Sequence, residues 1–268
     1  IISRLFTTAE GLAGNNVKFI HQVKKGTIWI GTYNGISIAE CGTQNADCQI
    51  IKSYTTADGL ASNFVRSIKE DEDGTIWIGT YDSGLIRFKD SQFFNFNEKN
   101  GLFNNGVFAI MEDNRGNFWM SSNKGIFRAN KQQLDDYADG KITSYESFSY
   151  GKQDGMLSAE CNGGRQPSAL IDDLGQIWFP TLGGISVINP DLFQKNLLPP
   201  PVEIEGVEID REKTSFKDEI KLEPNQNYLD ISYTALSFIK SDQIRFRYKL
   251  EGLDEYWIEA GTRRTVNY

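Results

Sequence analysis

An all-β fold of radially stacked antiparallel sheets follows from three observations. One phrase occurs four times: Gly26-Thr27-Ile28-Trp29-Ile30-Gly31-Thr32-Tyr33, Gly74-Thr75-Ile76-Trp77-Ile78-Gly79-Thr80-Tyr81, Gly116-Asn117-Phe118-Trp119-Met120-Ser121-Ser122 and Gly175-Gln176-Ile177-Trp178-Phe179-Pro180-Thr181. Its tryptophans fall 48, 42 and 59 residues apart, the period of a propeller blade. Apolar residues occupy consecutive positions, as in Ile76, Trp77 and Ile78, which suits sheets covered on both faces. The expectation is a partial β-propeller of about four blades, followed by an incomplete Ig-like β-sandwich.

Taken in order, Ile2–Thr7 reads as a strand and Glu10-Gly11-Leu12 as a turn. That turn recurs as Asp58-Gly59-Leu60, Asn100-Gly101-Leu102 and Asp154-Gly155-Met156, each with asparagine following: Asn15 and Asn16, Asn63, Asn104 and Asn105, and Asn162. An apolar strand comes next, such as Val65–Glu70. The turn Asp71-Glu72-Asp73-Gly74 then supplies the local hydrogen bonding and open backbone angles of a tight reversal. After the tryptophan strand come a second turn (Tyr81-Asp82-Ser83-Gly84), a third strand (Leu85–Phe88) and a fourth (Phe93–Phe96). Each repeat is thus a four-stranded meander. The expected blades are 13–60, 61–102, 103–156 and 157–195, within a propeller domain of 1–198. Lys131–Gly140 is an insertion in the third, read as a surface loop or a short helix.

Leu197-Leu198-Pro199-Pro200-Pro201 ends the pattern, since consecutive prolines favour an extended spacer over a central strand. In the second expected domain, 199–268, Val202–Ile209, Tyr228–Tyr233 and Ile244–Leu250 alternate with period two. Only 67 residues follow Pro201, fewer than the roughly 100 of a complete sandwich.

Composition narrows the function classes. Among 268 residues, 28 basic side chains against 36 acidic give a net charge of -8, which argues against a phosphate-tracking surface and a nucleic-acid partner. Mean hydropathy is -0.43, and no stretch approaches the roughly 20 apolar residues of a membrane span. The chain opens on Ile1-Ile2-Ser3, which reads as a processed or trimmed piece. Cys41 and Cys48 bracket a polar insertion, Gly42 to Asp47, between two strands. A hairpin disulfide in an oxidising compartment suits them, with two free thiols as the alternative. Cys161 has no evident partner.

The Asp-Gly-Leu turn, the following Asn, the Asp-x-x-Gly-x-x-Trp-x-Gly-Thr core and the Gly-Leu/Ile strand together resemble the two-component regulator propeller repeat, over residues 1–195. Ser158-Ala159-Glu160-Cys161-Asn162-Gly163-Gly164, Trp178-Phe179-Pro180-Thr181 and Ile188-Asn189-Pro190 resemble the closing blade of such sensors. Tyr248-Lys249-Leu250-Glu251-Gly252-Leu253-Asp254 with Trp257 is similar to the middle of the triple-tyrosine (Y_Y_Y) sandwich domain. The resemblance implies the periplasmic sensor region of a bacterial membrane receptor of histidine kinase, hybrid two-component or diguanylate cyclase type. It also implies a membrane-anchored parent that works as a homodimer. The family usually carries more blades, and its sandwich continues past the point reached here.

The candidate chemistry is recognition without catalysis, cofactor or metal. The tryptophans read as interblade core, with Gly31 and Gly79 allowing close backbone approach. Asp71, Glu72 and Asp73 lack the distal bidentate carboxylate of a calcium loop and read as a solvated turn. A sialidase-type Asp box would need an aspartate where Glu72 stands. His21 is the sole histidine, which excludes repeated His-based triads and multi-His metal sites. No paired carboxylates for glycoside chemistry and no phosphate loop can be picked out. In a meander, however, alternate turns share one end of the sheet. Asn16, Tyr33, Asn34, Asn63, Tyr81, Asp82, Asn105, Asn123 and Asn162 therefore gather on one face, with Asn15, Asn104 and Lys124. These are candidate ligand-binding residues for a small molecule or oligosaccharide, and Arg165 near Glu160 suits an anionic ligand or a local pair. The competing reading is that the asparagines only cap turns. Two other functions stay open: a propeller-type carbohydrate-active enzyme (lyase or glycosidase), and a pure dimerisation or assembly module.

Overall fold

The computed structural model describes residues 5–23, 26–42, 48–192, 200–214, 219–236 and 244–268. The chain divides into two compact units, Ile1–Phe193 and Gln194–Tyr268. The strand expected over Ile2–Thr7 begins outside the described residues, and Leu5–Thr7 form no strand. Most of the Gly42–Asp47 insertion and Leu197-Leu198-Pro199 also lie outside them.

In the first unit, β1 (Val17–Gln22), β2 (Ile28–Thr32), β3 (Gly35–Cys41) and β4 (Cys48–Tyr54) pair in sequence order as one antiparallel sheet. The second blade is β5 (Val65–Glu70), β6 (Ile76–Thr80), β7 (Leu85–Lys89) and β8 (Gln92–Phe96). The third is β9 (Ile110–Glu112), β10 (Asn117–Ser122), β11 (Gly125–Asn130) and β12 (Ser147–Tyr150). The fourth is three-stranded, with β13 (Leu170–Ile171), β14 (Ile177–Thr181) and β15 (Gly184–Ile188). Cys41 and Cys48 face each other across the β3–β4 pair and form the disulfide, and Cys161 is a buried free thiol.

Three apolar layers hold adjacent blades together, each centred on a tryptophan. Trp29 lies with Val65, Ile68 and Ile78 of the second blade. Trp77 lies with Phe118, Met120 and Phe127 of the third. Trp119 lies with Ile177 and Phe179 of the fourth. Trp77 and Trp119 are completely buried. Trp178 is only half-buried, and Val187 and Ile185 of the same sheet are exposed. The glycine after the tryptophan sets the spacing between sheets. A Cβ on Gly79 would collide with Ser67 Oγ and the Val107 carbonyl, and one on Gly31 with the Val65 side chain.

The third-blade insertion forms a helix, α1 (Lys131–Ala138), rather than a loop. Leu134 on it is buried in the layer between blades two and three. Ion pairs fasten it there: Arg87 of β7 meets Asp135 at 2.8 Å and Asp139 at 2.6 Å. Lys131 reaches Asp71 at 2.8 Å and Glu112 at 2.9 Å. The solvated-turn reading therefore fails for Asp71, which is buried, while Glu72 and Asp73 are exposed. Burial pushes the Asp71 carboxyl up, but hydrogen bonds from Lys131 and the Glu72 amide outweigh it and hold the group below its ordinary value.

In the second unit, one sheet has the order β17 (Glu212–Thr214), β16 (Val202–Ile209), β18 (Leu229–Ala235), β21 (Thr265–Asn267), beside a hairpin of β19 (Phe246–Tyr248) and β20 (Ile258–Gly261). Its core is Tyr233, Ala235, Phe246, Ala260 and Val266. The Tyr268 hydroxyl donates to Asp254, whose carboxylate also accepts the Leu250 amide at 2.7 Å.

Trp77→Ala should cost about 3–5 kcal/mol in urea unfolding and Trp178→Ala clearly less, because only the first empties a closed layer. Asp71 has a depressed folded pKa, so its contribution is present above the unfolded carboxylate value of 3.8 and is lost as pH falls through the folded one. Asp71→Asn should accordingly flatten the decline of the thermal midpoint between about pH 5 and pH 2.

Candidate functional site

The recurring Asp-Gly-Leu segments are short 3-10 turns held by reciprocal caps. Thr7 and Glu10, Thr55 and Asp58, and Asn97 and Asn100 each form a capping box closed by a glycine at positive φ. The first free amide of each turn is taken by the asparagine seven residues on. Asn15 Oδ1 accepts from Thr8 N at 2.9 Å, Asn63 Oδ1 from Thr56 N at 2.8 Å and Asn105 Oδ1 from Glu98 N at 2.9 Å. Asn162 stands outside this series and donates to the Thr181 carbonyl at 3.3 Å. Asn104 is buried and donates to Glu98 at 3.0 Å.

These turns interlock from blade to blade at one end of the sheets. Gly35 N donates to Asn63 O and Gly84 N to Asn105 O from one blade to the next, while the bonds from Tyr33 N to Asn16 O and from Tyr81 N to Phe64 O close the same end within a blade. The β2–β3 and β6–β7 turns therefore share a face with the blade connections. Asn16, Asn34, Asn123 and Asn162 are exposed on these segments. Asp82 accepts from Ser62 Oγ at 2.5 Å, which fixes its carboxylate to the neighbouring connection. Lys124 approaches Glu98 at 3.7 Å. Arg165 is exposed and makes no ion pair with Glu160.

Tyr33 and Tyr81 converge on a group that the sequence reading passed over. The inner strands are bulged at matching places. Val17 pairs with Thr32 and Phe19 with Gly31, leaving Lys18 as the extra residue. Val65 pairs with Thr80 and Ser67 with Gly79, leaving Arg66. A bulge re-aims its side chain out of the alternation. Lys18 Nζ lies 4.3 Å from the Tyr33 ring centre. The Arg66 guanidinium lies 4.8 Å from Tyr81, 5.1 Å from Tyr33 and 5.8 Å from Phe108. Tyr81 stacks on Phe108 at 5.9 Å, and Tyr33 meets Phe64 edge-on at 5.9 Å.

The fourth blade closes the cluster. A Cβ on Gly164 would collide with Arg66 Nη1, and one on Gly163 with the Phe108 ring. Gln166 then crosses to the first blade, its Oε1 accepting from Ile20 N at 3.0 Å and its Nε2 donating to Ile20 O at 2.9 Å. Desolvation pushes the Tyr33 hydroxyl up, but the nearby Arg66 and Lys18 charges outweigh it and hold the group below its ordinary value. Spacing from the tryptophans would have revealed the cluster, because Lys18 and Arg66 each stand 11 residues before one.

His21 lies on β1 as an ordinary side chain. Burial lowers its pKa, with Glu70 opposing and Lys69 adding to that shift. Among the described residues, no three His, Cys, Asp or Glu side chains gather as a metal site, and no helix is long and apolar enough to cross a membrane.

Residues 11–34, 59–82 and 101–124, one segment in each of the first three blades, match the two-component regulator propeller family. Among solved structures, the whole chain aligns at 25% identity and TM-score 0.67 with 36% of the extracellular domain assigned to a hybrid two-component system of B. thetaiotaomicron. A second such domain from that organism aligns over 99% of this chain and 34% of its own, at 17% identity and TM-score 0.49. This chain thus spans about a third of either structure. No curated protein matches its sequence.

Asn63→Ala should cost about 0.5–2 kcal/mol in urea unfolding, the scale of a lost cap, because Thr56 N loses its acceptor. An unchanged unfolding midpoint would remove Asn63 from the architecture and return it to the ligand face.

Proposed function

We propose that this chain is the extracytoplasmic ligand-sensing region of a bacterial two-component or diguanylate cyclase receptor and carries no catalysis itself. One observation carries the reading: regulator propeller repeats form an array whose turn face brings Tyr33 of the first blade beside Tyr81 and Arg66 of the second. The alignment with an extracellular domain assigned to a hybrid two-component system supports a sensory role outside the cytoplasm. On this reading the protein is periplasmic, and the Cys41–Cys48 disulfide suits that compartment.

Residues 199–268 act as a triple-tyrosine sandwich that hands the signal on, and the parent is a membrane-anchored homodimer ending in a histidine kinase or diguanylate cyclase output. The ligand is a small molecule or oligosaccharide held on the propeller face, where Asn16, Asn34, Asn123, Asn162 and Arg165 offer exposed polar groups.

Thermal unfolding of the purified chain against neutral oligosaccharides, acidic oligosaccharides and small anions tests this directly. A saturable rise in midpoint is expected for one class, as native-state binding requires, with loss of the rise in Tyr81→Ala. Turnover of any glycan in the panel would overturn the non-catalytic assignment.

A further inference from the structure

We propose that Arg66, walled by Tyr33, Tyr81, Phe108 and Gly164 and flanked by Lys18, anchors an oxyanion, a carboxylate or sulfate, on the ligand of the propeller face. This deepens the sensing function above and rests on it.

Charge pairing is the first ground. The protein carries excess acid, and several blade cations have found carboxylates, Lys69 with Glu112, Arg87 with Asp135, Lys89 with Asp73 and Lys131 with Asp71, whereas Lys52 lies over Tyr54 and Arg128 over Trp119 and Phe148. Among the described residues, Arg66 and Lys18 form no ion pair. Aromatic faces surround them instead. Such faces stabilise a cation by about 0.5–2 kcal/mol, and the Tyr33 hydroxyl engages only part of the donor set. Arg66 Nε is buried without a hydrogen-bond partner. A guanidinium presents five donors in a fixed planar fork, which a carboxylate or sulfate matches in bidentate fashion.

Construction is the second ground. The first three blades each contribute an aromatic ring to the walls around the guanidinium, and the fourth contributes the glycine that lets it fit. The bulge that re-aims Arg66 is repeated at Lys18, so two blades deliver a cation to the same face. A side chain fixed on so many sides is set before the ligand arrives and loses little freedom on binding. Tyr81 is 46% exposed, so the ring beside the fork faces solvent.

The test uses the whole chain, calorimetry and thermal shift at constant ionic strength, with sodium glucuronate, sodium sulfate and glucose as probes. Glucuronate or sulfate is expected to bind saturably and glucose not at all. Arg66→Gln should weaken the anion about tenfold or more, the scale of a charged hydrogen bond. Arg66→Lys should retain part of the affinity, and Lys18→Gln should lower it less. Far-UV circular dichroism and the ligand-free midpoint establish that each variant folds. Equal binding of glucose and glucuronate, unchanged anion affinity in folded Arg66→Gln, or no binding of either anion would overturn the proposal. In the last case, a neutral oligosaccharide that still raises the midpoint leaves the sensing function standing, and the absence of any ligand across all classes removes both.

Discussion

Narrow sheets that are apolar on both faces are unstable alone in water, and the second blade is accordingly covered on both sides by its neighbours. That constraint governs the propeller unit. Trp29, Trp77 and Trp119 are the thick part of each covering layer, and aromatic side chains of this size bury roughly 150–250 Å² apiece. The layer closes only where opposing atoms come near, the Val65 side chain at Gly31 and the Val107 carbonyl at Gly79, which is why neither glycine tolerates a Cβ. Large and absent side chains thus alternate along a five-residue strand, and neither works without the other.

Architecture and recognition divide the turn face between them. The asparagines nearest the Asp-Gly-Leu turns direct their amide oxygens inward, onto the turns that start each blade. What is left for a ligand comes from the tips of the next turns and from the bulges: rings, two cations and the exposed amides. The tyrosines serve both ends, since their backbone amides bond to the segment that enters their own blade while their rings frame Arg66.

Much of this was legible in the chain. The tryptophan repeat set the blades, and β16 spans the period-two run Val202–Ile209. The Cys41–Cys48 hairpin could be read because both cysteines flank a strand reversal. Asp71 escaped because its partner Lys131 belongs to the next blade, and no local pattern announces a long-range pair. The Asp-Gly-Leu turns were read as turns, while the capping boxes around them and their meaning for Asn15 and Asn63 followed only from the hydrogen bonds. Lys18 and Arg66 were hidden for another reason: alternation places every second residue, and a bulge suspends alternation where they stand.

The Gln166 bridge to Ile20 bears on the order of assembly. Each meander joins residues a few tens of positions apart, so a blade closes short loops as it forms. The bridge joins positions 146 apart, and closing a loop of that length carries an entropy that only prior organisation of the intervening sheets can reduce. The glycine pair beside Arg66 lies just before Gln166 in the chain. The wall it supplies is therefore among the last pieces to settle during folding, and the recognition face is completed only after the blades that carry it.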